Sequence, residues 1–147
     1  MINNLLNFQL MEPPLPFNGN SFKMSYTNIL NPTLSFKSQF SFEKRLEDSS
    51  TILKKHPDRI PVIIEKYYRS SLTDIDRKKY LVPNDMTVGQ LMYVIRKRIK
   101  LHETKALFIF INNIIPPTSL LISTLYKNNK DEDNFMYVLY DEELVFG

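Results

Sequence analysis

The chain reads as an α+β sandwich, a four-stranded mixed sheet with an amphipathic helix against each face. Three observations predict it. Residues 59–68, 79–82, 107–111 and 135–140 are short runs rich in β-branched, aromatic and aliphatic residues, which is strand composition at strand length. Residues 42–54 and 88–99 repeat apolar side chains at helical spacing. The elements follow one another without a fixed-period repeat over 147 residues, a length at which a single domain buries a substantial core.

Taken in order, the first 34 residues are different material. Glu12 and Lys23 are their only charges, and Pro13, Pro14, Pro16 and Pro32 interrupt a stretch with many Asn and no sustained period. Residues 1–33 are therefore expected to form a flexible or loosely attached extension, and the scarcity of basic residues argues against a targeting peptide. Otherwise an intermittent helix or strand of the extension docks on the body, with Phe8, Leu10, Phe17 or Phe22 on an apolar surface, the peptide-docking edge at 79–82 included, and deleting the extension then tightens peptide binding there. Residues 34–57 are expected as a helical subdomain: a short turn over 34–40, then a helix from Ser41 or Phe42 with Phe42, Leu46, Ser49 or Ser50, and Leu53 near one side. Pro57 ends it, because proline pushes the preceding residue out of the helical region.

Residues 58–147 are expected as the body. In 59–68, Ile60, Val62 and Ile64 share one face and Ile63 and Glu65 the other; apolarity on both faces marks a mid-sheet strand, although Pro61 favours an end or edge. KYLV at 79–82 alternates polar-tipped and apolar residues and is closed by Pro83, as an edge strand able to dock an extended peptide would be. The next helix has Asp85 or Thr87 as cap and Val88, Leu91, Met92, Ile95 and Ile99 as its packing stripe, with Arg96, Lys97 and Arg98 largely opposite. Asn112 and Asn113 supply a turn after the third strand. A short helix over 119–128 is expected to turn Leu121 and Leu125 inward, with Ile122 as a further candidate, before the fourth strand.

Composition excludes several classes. The chain has no cysteine, so disulfides, thiolate zinc sites and cysteine nucleophiles are ruled out. His56 and His102 lack the spacing of a metal site, and the three glycines, Gly19, Gly89 and Gly147, cannot build a P-loop or a dinucleotide fingerprint. No metal, no cofactor and no enzymatic activity are expected. No run of 18 apolar residues is present, as a membrane-spanning helix would need. Charge is uneven: residues 35–105 hold 16 Lys and Arg against 9 Asp and Glu, and residues 106–147 hold 2 against 6. The basic clusters lack the aromatic interleaving of a nucleic-acid platform, so they read first as solvated surface, next as a contact for an acidic protein or an anionic lipid, and last as a nucleic-acid site.

Five ungapped stretches carry a resemblance: FEKR at 42–45, PDRIPVIIEK at 57–66, DRKKYLVPNDMTVGQLMYVIRKRI at 76–99, LFIFINNIIPPTS at 107–119 and DEDNFMYVLYDEELVFG at 131–147. Over about residues 34–147 the chain resembles the autophagy ubiquitin-like modifiers of the GABARAP type. The resemblance implies a ubiquitin-like β-grasp fold with two added N-terminal helices. It also implies conjugation through Gly147 to phosphatidylethanolamine by E1-like activating and E2-like conjugating enzymes, and removal by a delipidating cysteine protease. Localisation would be cytoplasmic, and on the autophagosomal membrane when lipidated. Receptors bearing an aromatic-x-x-aliphatic segment would bind in a two-pocket groove. Carried over by motif, the aromatic pocket corresponds to Asp48, Ile52, Pro61, Lys79, Leu81 and Phe135, and the aliphatic pocket to Tyr80, Val82, Pro83, Met86, Leu91, Val94 and Arg98. Arg59 and Arg77 would form an electrostatic rim for acidic residues. Asp48 stands where many relatives have Glu, and Met86 where Leu is common. The alternative function is a non-conjugated peptide-binding adaptor in membrane trafficking.

Overall fold

The computed structural model describes residues 8–12 and 34–143. Among these the elements are β1 (Gln9–Leu10), α1 (Phe36–Gln39), α2 (Phe42–Lys55), β2 (Arg59–Lys66), β3 (Lys79–Pro83), α3 (Val88–Ile99), β4 (Phe108–Phe110), α4 (Ile122–Asn129) and β5 (Met136–Asp141). The strands form one mixed sheet in the order β1-β3-β2-β5-β4. The four expected strands are present, and β2 and β3 form an antiparallel pair that runs parallel to β5 through β2. A fifth strand comes from the N-terminal extension, for which docking on the body is the lesser of the expectations: β1 pairs in parallel with β3.

The central place of β2 resolves the conflicting signals of its sequence. Ile64 N donates toward the β3 side at 2.8 Å, so by strand alternation the position of Pro61 faces the other side. Pairing with β5 begins only at Val62, one residue later, so the missing proline N–H interrupts no ladder bond.

Alternation then divides the core. Ile60, Val62 and Ile64 join Tyr80, Val82, Met136 and Val138 in the larger cluster, which α3 covers with Val88, Leu91, Ile95 and Ile99. Ile63, Leu81 and Phe135 face the other way, into a smaller cluster with Phe36 and Ile52 of α1 and α2. The helix α3 starts on a capping box, in which Thr87 accepts from Gln90 N and the Gln90 side chain accepts from Thr87 N. Its first amides are also satisfied by a loop: Val88 N donates to the Leu120 carbonyl and Gly89 N to that of Thr118, both at 2.9 Å. A Cβ at Gly89 would stand 3.3 Å from the Thr118 oxygen, so this close approach favours glycine. After β4, Asn112 and Asn113 both adopt positive φ, and Ile111 and Ile114 exchange backbone hydrogen bonds across that turn.

Two helix faces depart from expectation. In α2 the buried residues are Arg45, Asp48, Ser49 and Ile52, while Phe42 is 39% exposed. The inward polar groups all find partners on the body, which periodicity of apolar residues cannot register. In α4, Ile122 and Leu125 are buried, but Leu121 is the cap residue and lies outside, 41% exposed.

Candidate functional site

The groove candidate is the edge of β3, flanked by α2 on one side and α3 on the other. Because successive strand residues point to opposite faces, Lys79 and Leu81 look toward α2, and Tyr80 and Val82 toward α3. The first side gathers Ile52, Leu81 and Phe135, and Pro61 lies opposite Leu81 in the β2–β3 register. Asp48 stands at its rim with an Oδ2 3.2 Å from the Lys79 ammonium, a pair with side chains only 5% and 9% exposed. Burial holds the Lys79 pKa below the ordinary lysine range, against the opposing pull of Asp48. The second side gathers Tyr80, Val82, Met86 and Leu91, with Val94 packed against them and Pro83 closing the strand. The Arg98 guanidinium lies 5.2 Å from the Tyr80 ring centroid and 3.7 Å from Asp76. Burial raises the Tyr80 phenol pKa despite that guanidinium.

The floor of the aromatic side is fixed by a buried charge cluster. Arg45 Nη1 donates to Asp133 Oδ2 at 2.5 Å, Tyr137 donates to the same oxygen, and Ser49 donates to the Asp133 carbonyl at 2.6 Å. Asp133 Oδ1 accepts from the Phe135 amide at 2.9 Å, which sets the backbone from which the Phe135 ring projects. Burial opposes the charge on Arg45, yet the hydrogen bonds it donates to Tyr137 and Asp133 keep its pKa above the ordinary value. The Asp133 side chain has no exposed surface, so its charge depends wholly on these partners.

The edge itself is occupied. Gln9 pairs with Tyr80 and Leu10 with Leu81, and Met11 N donates to the Leu81 carbonyl at 2.9 Å. Phe8 enters the α2 side, its ring stacked 5.9 Å from Phe135 and with the Lys79 ammonium 4.6 Å above it. Met11 enters the α3 side and is counted in the larger core cluster. Arg59 donates to the Met11 carbonyl at 3.2 Å and to Glu12 Oε1 at 2.8 Å. Arg77, the other rim candidate, is partly buried two residues before β3. Gly147 lies outside the described residues, as do Phe17 and Phe22. The loose extension expected over 1–33 thus contains one paired segment at 8–12; residues 1–7 and 13–33 lie outside the described residues.

Motif transfer did not include Phe8, Met11, Phe36 or Asp133 in the site. For the first two a signal exists in the chain: Phe8, two residues, then Met11 and the acidic Glu12 repeats within the extension the aromatic-x-x-aliphatic pattern of a groove ligand.

A mixed sheet of this order, with α3 packed across one face and α1 and α2 on the other, defines a ubiquitin-like protein. The autophagy protein Atg8 ubiquitin-like family matches residues 44–147, and the chain belongs to that family. It is 59% identical over 112 residues to Autophagy-related protein 8 of Schizosaccharomyces pombe, across 76% of this chain and 93% of that one. Among solved structures it resembles Trypanosoma brucei ATG8, with 42% identity and a TM-score of 0.72, across 78% of this chain and 98% of that chain. Plasmodium falciparum Atg8, solved in complex with a Plasmodium falciparum Atg3 peptide, matches with 39% identity and a TM-score of 0.70, across 75% of this chain and 97% of that one. The protein is a non-catalytic ubiquitin-like member of the autophagy machinery.

Proposed function

We propose that this protein is a modifier joined through Gly147 to the amine of phosphatidylethanolamine, and that its β3 groove then recruits receptors by their aromatic-x-x-aliphatic segments. The observation that carries the reading is the two-sided edge of β3, with Ile52, Leu81 and Phe135 on one side and Tyr80, Val82 and Leu91 on the other. An added strand places alternate side chains into such flanking clefts while its backbone continues the ladder. Asp48, Pro61, Lys79, Pro83, Met86, Val94 and Arg98 complete the two sides, and Arg59 and Arg77 steer acidic residues of the ligand. The peptide held by the similar Plasmodium protein supports peptide binding here.

The conjugation half rests on the family match, which runs to residue 147. The Gly147 carboxylate attacks ATP to give an acyl adenylate and pyrophosphate; an enzyme thiolate displaces AMP; the lipid amine then displaces the thiolate and forms an amide. In the first step the nucleophile is the terminal carboxylate itself, and in each later step it comes from a partner enzyme or the lipid, so the chain contributes only that carboxylate and an unhindered glycine. The partners are an E1-like activating enzyme, an E2-like conjugating enzyme and a delipidating cysteine protease. The protein moves from cytoplasm to autophagosomal membrane as it is lipidated.

Reconstitution with ATP, the two enzymes and phosphatidylethanolamine liposomes, read by intact-mass spectrometry, tests this. The full chain should gain one lipid at its C-terminus, and a chain lacking Gly147 should gain none while keeping its fold. An adduct that forms without Gly147, or that maps to a lysine, removes the carboxyl-donor role; a chain that never conjugates but still binds peptides is the trafficking adaptor instead.

A further inference from the structure

We propose that residues 8–12, Phe-Gln-Leu-Met-Glu, are a built-in ligand that closes the β3 groove from within the same chain, so that a receptor segment binds only by displacing them. The inference rests on the groove assigned above. Its warrant is that the segment meets each requirement of a groove peptide. The segment runs parallel to β3, and Gln9 and Leu10 pair with Tyr80 and Leu81. Phe8 and Met11, three residues apart on an extended chain, point to opposite sides. Phe8 is buried among Phe36, Ile52, Leu81 and Phe135, and Met11 among the side chains of the α3 side, at 7% and 3% exposure. Leu10, between them, is left 50% exposed. Glu12 occupies the basic rim through Arg59. The result is a complete occupant: two anchors, a ladder and a charge.

The connection makes the contact possible within one chain. Lys78, just before β3, donates to the carbonyl of Leu34, where the body begins, and Met11 lies beside Leu81 near the other end of that strand. Residues 13–33 therefore need to span only about the length of β3, far less than the roughly 70 Å that 21 residues reach when extended. A tethered segment of this kind acts at an effective concentration of the order of millimolar. Free receptor peptides face that competitor at every encounter, so the segment sets a threshold that weak peptides do not cross.

The S. pombe relative matches this chain over 93% of its own length but only 76% of this one, and the solved T. brucei structure covers 78% of it, so the body folds without a counterpart of the whole extension. The experiment measures binding of a labelled peptide carrying Glu-Glu-Trp-x-x-Leu to three chains: the full protein, the full protein with Phe8→Asp and Met11→Asp, and a deletion of residues 1–12. A groove closed nine times in ten weakens apparent affinity tenfold, so both altered chains should bind about tenfold tighter than the full protein. An unlabelled peptide of residues 6–14 should compete on the deletion variant. Equal affinity in all three chains overturns the inference and leaves the groove reading intact. If the deletion variant binds the 6–14 peptide but not the Trp-x-x-Leu peptide, self-occupancy stands and the receptor reading fails; if it binds neither, both fail. A concentration-dependent dimer that the Phe8 and Met11 substitutions abolish would assign the segment to a second copy and overturn closure within one chain.

Discussion

The two helices that wall the groove are held to the same sheet by different means. The helix α3 lays down Val88, Leu91, Ile95 and Ile99, all buried and apolar, and its seat is a matter of area. The helix α2 buries Arg45, Asp48 and Ser49 beside a single large apolar residue, Ile52, and its seat is a matter of matched charges. Apolar packing tolerates small shifts, because any neighbouring carbon serves as a contact. Charge pairing does not: Arg45 must meet Asp133, and Lys79 must meet Asp48, or a charge is left dry. The α2 side, where Phe8 inserts, is accordingly the more position-specific of the two.

The largest expected effect comes from breaking the charged seat. Asp133→Ala strands Arg45 in a site 10% exposed and removes the acceptor for Tyr137 and for the Phe135 amide. A loss of about 3 to 5 kcal/mol is expected, as for other buried pairs that lose one partner. Urea unfolding should show a lower midpoint at unchanged slope. A stability within 1 kcal/mol of wild type would mean the cluster is solvated and the contrast drawn here is wrong.

Leu91→Ala, on the apolar wall, should cost about 3 kcal/mol through lost contacts and a residual cavity. Leu91 has no exposed surface, so the loss should be insensitive to salt. A marked salt dependence of the Leu91 effect would erase the distinction between the walls. Tyr80 and Leu81 are poor choices for a binding test, since at 0% and 2% exposure their truncation strikes the core as well as the groove.

The smallest effect sharpens the same comparison at the outer end of the charged side, where Lys37 of α1 donates to Asp131 at 2.6 Å. Burial pushes the Asp131 carboxyl up, but Lys37 and the hydrogen bonds around Asp133 hold it below its ordinary 3.8. A carboxyl depressed on folding contributes stability that is complete above its unfolded value and is lost as pH falls through the folded one. Lys37→Met should therefore destabilise by about 0.2 to 1 kcal/mol near neutrality, as exposed pairs do. Thermal melts between pH 7 and pH 2 should show the gap between the two proteins narrowing only below about pH 4. A gap that stays constant into acid would show that the lysine acts by packing on the Tyr137 ring, 4.6 Å away, and not by charge.

Legibility in the sequence followed the range of the interactions. The helix α3 was readable from its stripe and its Thr87 cap, the turn from Asn112 and Asn113, and the two faces of β2 and β3 from period two, because each signal lies within a dozen residues of chain. The family was readable from ungapped motifs, and with it a list of candidate groove residues. The same reading placed Leu121 inward and Phe42 on the buried face of α2, and both are exposed. Period counting scores hydrophobicity, and it has no means of knowing that Arg45 will find Asp133 88 residues further on.

What the sequence by itself determined, then, is the set of elements, the apolar core and the kinship, since these depend on local spacing and on residue type. Tertiary structure alone decided which polar side chains face inward, how Pro61 fits a central strand, and what covers the edge of β3. Each of these is a question of partners. A buried charge is stable only beside its opposite, a proline is harmless only where no neighbour needs its amide, and a strand as short as β1 has too few residues to show any period until a sheet edge is there to receive it.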